Sequence, residues 1–136
     1  MNFTKKEKEK MNEIKIVLPW PDSALMPNRR GGKHWASFQK KKEGARMDGA
    51  DAARNALEGL CGVLMAEGMV SVGVMFFEPD RRHRDLDNLL GAIKWHLDGV
   101  AKALGVDDKQ FRPITINSTH GGKDGARVEV TLSQEK

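Results

Sequence analysis

The chain has 136 residues, of which 39% are hydrophobic and 6% aromatic, and its formal net charge at pH 7 is +4. This length predicts one domain with a modest core, and the low aromatic content, with no Tyr, argues against recognition of splayed bases by aromatic stacking. The basic balance favours a polyanionic partner, although a mildly basic surface can also serve solubility alone.

The cysteine count and the hydropathy pattern indicate where the protein resides. Cys61 is the only cysteine, so no internal disulfide can form, and a reducing cytoplasm fits this composition. No run of about 18 apolar residues occurs, so we expect no membrane span. Residues 1–13 are rich in Lys and Glu and lack the apolar segment of a secretory signal. We interpret them as a disordered tail before a single domain over residues 14–136.

The first half of the domain predicts one strand, a long loop and one helix. Residues 14–18 are rich in β-branched residues and predict a strand, which Pro19 ends. A basic loop is expected from Asp22 to about Lys42, followed by a helix over residues 43–67 that Gly68 terminates. The stripe expected to face the core of this helix comprises Met47, Ala50, Arg54 or Leu57, Cys61 and Leu64.

The second half predicts a strand over residues 70–77, a helix over 86–104, and strands over 111–118 and 127–132. The helix is the clearest of these elements, because its apolar residues recur at three- and four-residue steps. They are Leu86, Leu90, Ile93, Leu97, Val100, Ala101 and Leu104. The glycine-rich linker 120–125 suggests an antiparallel hairpin between the last two strands. The order β-α-β-α-β-β predicts an α+β fold with a mixed four-stranded sheet and two long helices.

Two carboxylates stand one residue apart at the start of the second predicted helix. Asp85 and Asp87 offer the oxygen ligands that Mg²⁺ prefers. Side chains two residues apart lie on roughly opposite faces of a helix, so Asp85 should precede the helix and Asp87 should lie in its first turn. The alternative for Asp85 is helix capping, which stabilises by about 0.5–2 kcal/mol without any metal.

A second acidic pair, Asp107-Asp108, follows the same helix. Alone it is an ordinary turn signal, but it gains weight beside the first pair. A helix of 19 residues is about 28 Å long, so one protomer cannot easily bring both pairs to one metal. Two such helices packed antiparallel about a two-fold axis would do so, and we expect a homodimer with composite sites. Each site would combine Asp85 and Asp87 with Asp108, and with Asp107 as a further candidate, from the partner.

A cluster of arginines adjoins the first acidic pair. Arg81, Arg82 and Arg84 could simply balance neighbouring carboxylates, or they could bind the phosphates of a DNA backbone, which Arg forks match bidentately. Arg29-Arg30 and Lys40-Lys41-Lys42 would extend such a track. Cationic groups beside clustered carboxylates suit phosphodiester hydrolysis assisted by a metal.

The arrangement of these motifs resembles the RusA family of Holliday junction resolvases. The resemblance runs from Ile14 to Leu132 and is most specific at Arg84-Asp85-Leu86-Asp87-Asn88-Leu89 and at Val106-Asp107-Asp108-Lys109-Gln110. Leu18-Pro19-Trp20-Pro21 and Asn28 also look like the start of the family. The two acidic motifs, their separation and the strand-proline opening agree together.

The resemblance implies a dimeric, Mg²⁺-dependent endonuclease that binds four-way DNA junctions and nicks two strands symmetrically, in the cytoplasm of a bacterium or a phage-infected cell. The three essential acidic positions of the family fall on Asp85, Asp87 and Asp108. Members often carry Lys where this chain has Gly91, and either Lys94 or Lys33 could replace it as a DNA contact. A non-catalytic branched-DNA-binding module and a less selective branch or flap nuclease are the alternatives.

Overall fold

The computed structural model describes residues 13–27, 35–57 and 68–134. Within these ranges the elements are β1 (Glu13–Pro19), α1 (Trp35–Leu57), β2 (Val70–Glu78), α2 (Leu86–Leu104), β3 (Phe111–His120) and β4 (Arg127–Ser133). The predicted α+β class with a mixed four-stranded sheet and two long helices is confirmed. The predicted tail lies outside the described residues except for Glu13, which begins β1, and Cys61 lies outside them as well.

The sheet buries one face under the helices. Along β1, β2 and β4 every second side chain is buried, because successive side chains of a strand point to opposite faces. The inward residues join one core with the helices: Ile14, Ile16, Leu18, Val70, Val72, Val74, Phe76, Val128, Val130 and Leu132. The opposite face carries polar pairs, such as Lys15 with Glu129 at 2.8 Å.

The predicted hairpin between the last two strands is wrong. The strand order is β1-β4-β2-β3, so β2 separates β3 from β4. β3 pairs in parallel with β2, while β4 runs antiparallel to both β1 and β2. The linker after β3 therefore crosses the end of β2, where the N–H groups of Gly121 and Gly122 donate to the Glu78 carbonyl at 2.8 and 3.0 Å. A Cβ at Gly121 would lie 2.8 Å from both the Gly125 carbonyl oxygen and Phe77, so the glycines serve a crossover rather than a tight turn.

The predicted bounds of the first helix are wrong at its start. α1 begins at Trp35 rather than Glu43, so residues 35–42 are helical instead of part of a loop. This segment contains Ala, Gln and three Lys and has no Gly or Pro, and its composition therefore favours a helix. The predicted end at Gly68 falls beyond Leu57, and the residues between them lie outside the described ranges.

The buried face of α1 also differs from the predicted stripe. Ala45, Gly49 and Ala53 are buried, whereas Met47 is 66% exposed. Small residues take this face because the two helices approach very closely. A Cβ at Gly49 would lie 2.0 Å from the His96 carbonyl oxygen of α2, and one at Gly99 would lie 1.9 Å from the Arg46 carbonyl oxygen of α1.

The second helix has the bounds that its periodicity predicts. α2 runs from Leu86 to Leu104, and Gly105 ends it with a φ of 74°, a left-handed conformation that glycine adopts without strain. His96 is buried on this helix, and loss of solvent lowers the pKa of its imidazole, partly offset by Asp48. Among the described residues neither helix has the length and apolar character that a membrane crossing requires.

The close approach of the helices predicts opposite effects of one substitution at two glycines of α1. Gly49→Ala should lower the free energy of unfolding by about 1–3 kcal/mol, because the added methyl group displaces the α2 backbone. Gly44→Ala should raise it by about 0.5–1 kcal/mol, because a Cβ there has nothing within 4 Å and Ala favours helix. Urea denaturation of both variants measures the difference, and equal effects of the two would contradict the packing described here.

Candidate functional site

Asp85 occupies the N-terminal cap position of α2 but does not cap it. Its backbone is extended, with φ −76° and ψ 133°, and its side chain accepts no capping hydrogen bond. The carboxylate instead lies 3.3 Å from His83 Nε2, and both side chains are exposed. The capping alternative for Asp85 therefore fails, and this carboxylate remains accessible at the mouth of the helix.

Asp87 lies in the first turn of α2, as its spacing from Asp85 predicts. Its carboxylate accepts a hydrogen bond from the Asn88 N–H at 3.0 Å. Asp85 lines a polar recess of about 230 Å³ with Trp20, Arg82, Asn88 and others. Asp87 instead lines an apolar groove of about 360 Å³ along α2. The two carboxylates thus open onto neighbouring cavities on either side of the helix N-terminus.

The two residues of the second acidic pair have different roles: Asp107 caps a turn, whereas Asp108 is exposed. Asp107 caps the 3-10 turn Asp108–Gln110, accepting from the Lys109 N–H at 2.9 Å while its own N–H donates to Gln110 Oε1 at 2.7 Å. The hydrogen bond from Lys109, together with one to Asp108, holds the pKa of Asp107 below its ordinary value. Asp108 is exposed and lines the same groove as Asp87. Asp108 is therefore the better placed of the pair to bind a ligand.

The groove has an apolar lining with acidic residues near the two ends of α2. Leu90, Leu97, Phe111 and Ile114 contribute to it, and Ile114 is 41% exposed. Asp87 belongs to the first turn of the helix, and Asp108 lies beyond its last turn. Since 19 helical residues span about 28 Å, a single protomer presents the two acidic segments at well-separated places.

The chemistry of the three exposed carboxylates fits a hard divalent cation. Mg²⁺ takes oxygen ligands and usually binds proteins through one or two carboxylates. In the described part of the chain, none of Asp85, Asp87 and Asp108 forms an ion pair with Lys or Arg, so their charges are not already neutralised. Among those same residues of one protomer, no three His, Cys, Asp or Glu side chains form a group that could hold a metal ion.

The three arginines before α2 differ in whether neighbouring carboxylates balance their charge. Arg84 has a side chain only 13% exposed, which lies 2.9 Å from Asp80 and 3.6 Å from Glu78. Arg82 is 72% exposed and also reaches Asp80, at 3.4 Å. The Arg82 N–H and the two guanidinium groups lower the pKa of Asp80. Arg81 is exposed and has no ion-pair partner among the described residues.

Arg84 therefore fixes the segment that carries Asp85. Its guanidinium also donates to the backbone carbonyls of Asp80 and Arg82 and lies 5.5 Å from the centre of the Trp20 ring. Arg81 and Arg82 are both exposed, and Arg82 lines the recess. The sequence left open whether these arginines balance neighbouring carboxylates. Arg84 does so most completely, through Glu78 and Asp80.

Lys94 is a predicted basic residue that lines the same groove as residues of both acidic segments. It is exposed and lines the groove with Asp87 and Asp108. Gly91 lies on the same wall, where a Cβ would be 2.5 Å from Cγ of Pro27, so any side chain there would displace the proline. Arg29, Arg30 and Lys33 lie outside the described residues.

Comparison with known proteins places this chain in a family. No protein-family model matches the chain. The chain is 32% identical over 130 residues to crossover junction endodeoxyribonuclease RusA of Escherichia coli strain K12, an alignment that covers 91% of the chain and 97% of that protein. The chain belongs to the RusA family. It is 30% identical over 131 residues, with the same coverage, to the crossover junction endodeoxyribonuclease of Enterobacteria phage 82.

A further relative carries no functional name. An uncharacterized protein of Xylella fastidiosa is 39% identical to this RusA-family chain over 97 residues. These residues are 71% of the chain and 61% of the Xylella protein, so the match spans about three fifths of that relative.

The different environments of Arg84 and Arg82 predict different losses of stability. Arg84→Gln should lower the free energy of unfolding by about 1–2 kcal/mol, because it leaves the partly buried carboxylates of Glu78 and Asp80 without their main partner. Arg82→Gln should change it by at most about 0.5 kcal/mol, because its ion pair is exposed. Urea denaturation of both variants tests this, and a larger loss for Arg82→Gln would contradict the assignment of Arg84 as the anchor.

Proposed function

We propose that this chain is a Mg²⁺-dependent endonuclease that binds four-way (Holliday) DNA junctions and resolves them by paired symmetric nicks, in DNA recombination and repair. The observation that carries the proposal is its identity of 30–32% to named crossover junction endodeoxyribonucleases over 91% of the chain. The exposed carboxylates of Asp85, Asp87 and Asp108 support it, since within the described residues none of them pairs with Lys or Arg.

The acidic residues and the basic residues would divide the chemistry between them. Asp85, Asp87 and Asp108 would hold Mg²⁺, which when bound would polarise the scissile phosphate and acidify a coordinated water. Asp107 would contribute chiefly by keeping the turn before β3 in shape, as its capping bonds indicate. Asp85 and Asp87 lie at the N-terminal end of α2, where the helix dipole favours negative charge.

The basic residues would bind the phosphate backbone without reading its sequence. Arg82, which lines the recess with Asp85, and the exposed Arg81 would contact phosphates flanking the cleaved one. Arg84 would act indirectly, because its hydrogen bonds hold the segment that carries Asp85. Lys94 would contact the DNA with its exposed side chain at the border of the groove, and Arg29, Arg30 and Lys33 would extend the track.

Each active site would be shared between two copies of the chain. The rigid length of α2 separates Asp87 from Asp108 within one protomer, and antiparallel packing of two α2 helices about a two-fold axis would bring them together. The apolar lining of the groove supports such packing, because the partly buried Leu90 and the exposed part of Ile114 would be shielded from water.

Removing the charge of Asp87 should reduce cleavage of the junction far more than binding to it. Asp87→Asn should reduce nicking of a synthetic four-way junction in Mg²⁺ by at least about 100-fold while junction binding in EDTA stays within about threefold of the parent, because the shape is kept and only the metal-binding charge is lost. Asp51→Asn, which changes an exposed carboxylate of α1, is the matched control and should nick at the parental rate.

The same assay distinguishes the alternatives. Parental nicking by Asp87→Asn would contradict the metal assignment. Junction binding by the parent with no nicking in Mg²⁺ would indicate a non-catalytic module. Equal nicking of four-way, three-way and flap substrates would indicate a less selective nuclease.

The groove predicts which surface position controls dimer formation. Ile114→Asp should convert a dimer into a monomer of 15.1 kDa and reduce nicking in parallel, because it places a charge in the apolar contact. Val17→Asp alters another exposed apolar residue, 55% accessible on β1 and away from the groove, and should preserve both. Sedimentation and junction nicking measure the two effects. A parent that is monomeric at the concentrations where it is fully active would refute the shared site.

A further inference from the structure

Three cationic side chains gather around one aromatic ring between the two helices. The ammonium of Lys42, on α1, lies 4.0 Å from the centre of the Trp95 ring, and that of Lys94, on α2, lies 5.2 Å from it. The guanidinium of Arg46 lies 5.1 Å from the same ring. The ammonium groups of Lys42 and Lys94 come from different helices. They therefore lie no further apart than the sum of their distances to the centre of the ring.

The charges of these three groups are balanced very unequally. Arg46 lies 2.8 Å from Asp98 and also pairs with Glu43, so its charge is compensated within the protein. Lys42 and Lys94 form no ion pair with any carboxylate in the described ranges of the chain. The site thus holds two positive charges in excess, and like charges at this separation repel unless an anion joins them.

The aromatic ring keeps the two ammonium groups in place. A Lys side chain is long and flexible, and ordering it costs conformational entropy. Contact with the face of a Trp ring offsets part of that cost, because the electron-rich face attracts the ammonium. Lys42 and Lys94 are therefore partly ordered before any ligand arrives, which favours binding.

The position of Lys94 connects this cluster with the acidic site. Lys94 lines the groove that also contains Asp87 and Asp108, whereas Trp95 is not part of the groove wall. Lys94 therefore borders both the groove that contains Asp87 and Asp108 and the Trp95 ring that Lys42 contacts.

We propose that Lys42, Lys94 and the Trp95 ring form a phosphate-binding subsite that grips the DNA backbone at a position next to the cleaved phosphate. The inference rests on the proposed function, which supplies branched DNA as the polyanion. Lysine ammonium groups act on phosphate as point charges, so the subsite adds affinity and registers the strand without selecting a base. Trp95 acts as a positioning residue, because it holds the lysines and does not touch DNA.

Binding of a labelled four-way junction in EDTA tests the subsite without cleavage. Lys42→Gln and Lys94→Gln should each weaken binding on the order of 5-fold and lower the slope of log affinity against log salt concentration by about 0.9 for each phosphate that the protein no longer neutralises. The double variant should lose less than the product of the two single losses, because both lysines hold one phosphate. Lys42→Arg should restore affinity to within about twofold, since the charge is kept.

Lys102→Gln is the matched control, an exposed lysine of α2 whose ammonium lies 3.9 Å from Asp98. It should leave the affinity within about twofold of the parent. If Lys42→Gln and Lys94→Gln show the affinity and salt slope of this control while the parent nicks junctions, the subsite is wrong and the proposed function stands. If the parent neither prefers nor nicks four-way DNA, the proposed function fails, and the same salt slopes on linear duplex then decide the subsite.

Discussion

The arrangement of this molecule depends on one rigid helix held at a fixed distance from its neighbour. At the crossing of α1 and α2 the backbones approach so closely that a methyl group at Gly49 or Gly99 would overlap a carbonyl oxygen of the other helix. This contact sets α2 over the sheet, with its first turn next to the end of β2. The length of α2 then affects where the acidic residues can lie, because Asp87 belongs to its first turn and Asp108 follows its C-terminal end.

Much of this fold can be predicted from the sequence, and the failures have physical causes. The bounds of α2 were predictable because its periodicity is strong and Gly105 stops it. The start of α1 was not, because residues 35–42 were assigned to the basic loop although their composition favours a helix. Its core face was missed because Gly49 and its small neighbours pack by close approach rather than by burying large side chains. The hairpin after β3 failed because a glycine-rich linker fits a crossover over β2 as well as a turn, and only sheet packing decides between them.

In the candidate site, too, local spacing could be predicted from the sequence, whereas contacts between elements could not. Spacing alone placed Asp85 before the helix and Asp87 in its first turn, since residues two apart cannot share a helical face. Which charges are already neutralised depends on contacts between elements that sequence does not reveal. Arg84 is partly buried between carboxylates, whereas Lys94 is not balanced and shares the Trp95 ring with Lys42 of the other helix. The feature of the sequence that pointed to this cluster is the run of lysines that ends at Lys42.

A subunit-mixing experiment tests most directly whether acidic residues from two copies of the chain meet in one site. Asp87→Asn and Asp108→Asn are each prepared as inactive proteins, then unfolded and refolded together so that mixed dimers form. The account predicts that mixing restores nicking to as much as about one quarter of the parental sites, because about half of the dimers are mixed and each then has one intact site beside one doubly altered site. Verified mixed dimers that remain as inactive as the separate variants would contradict it.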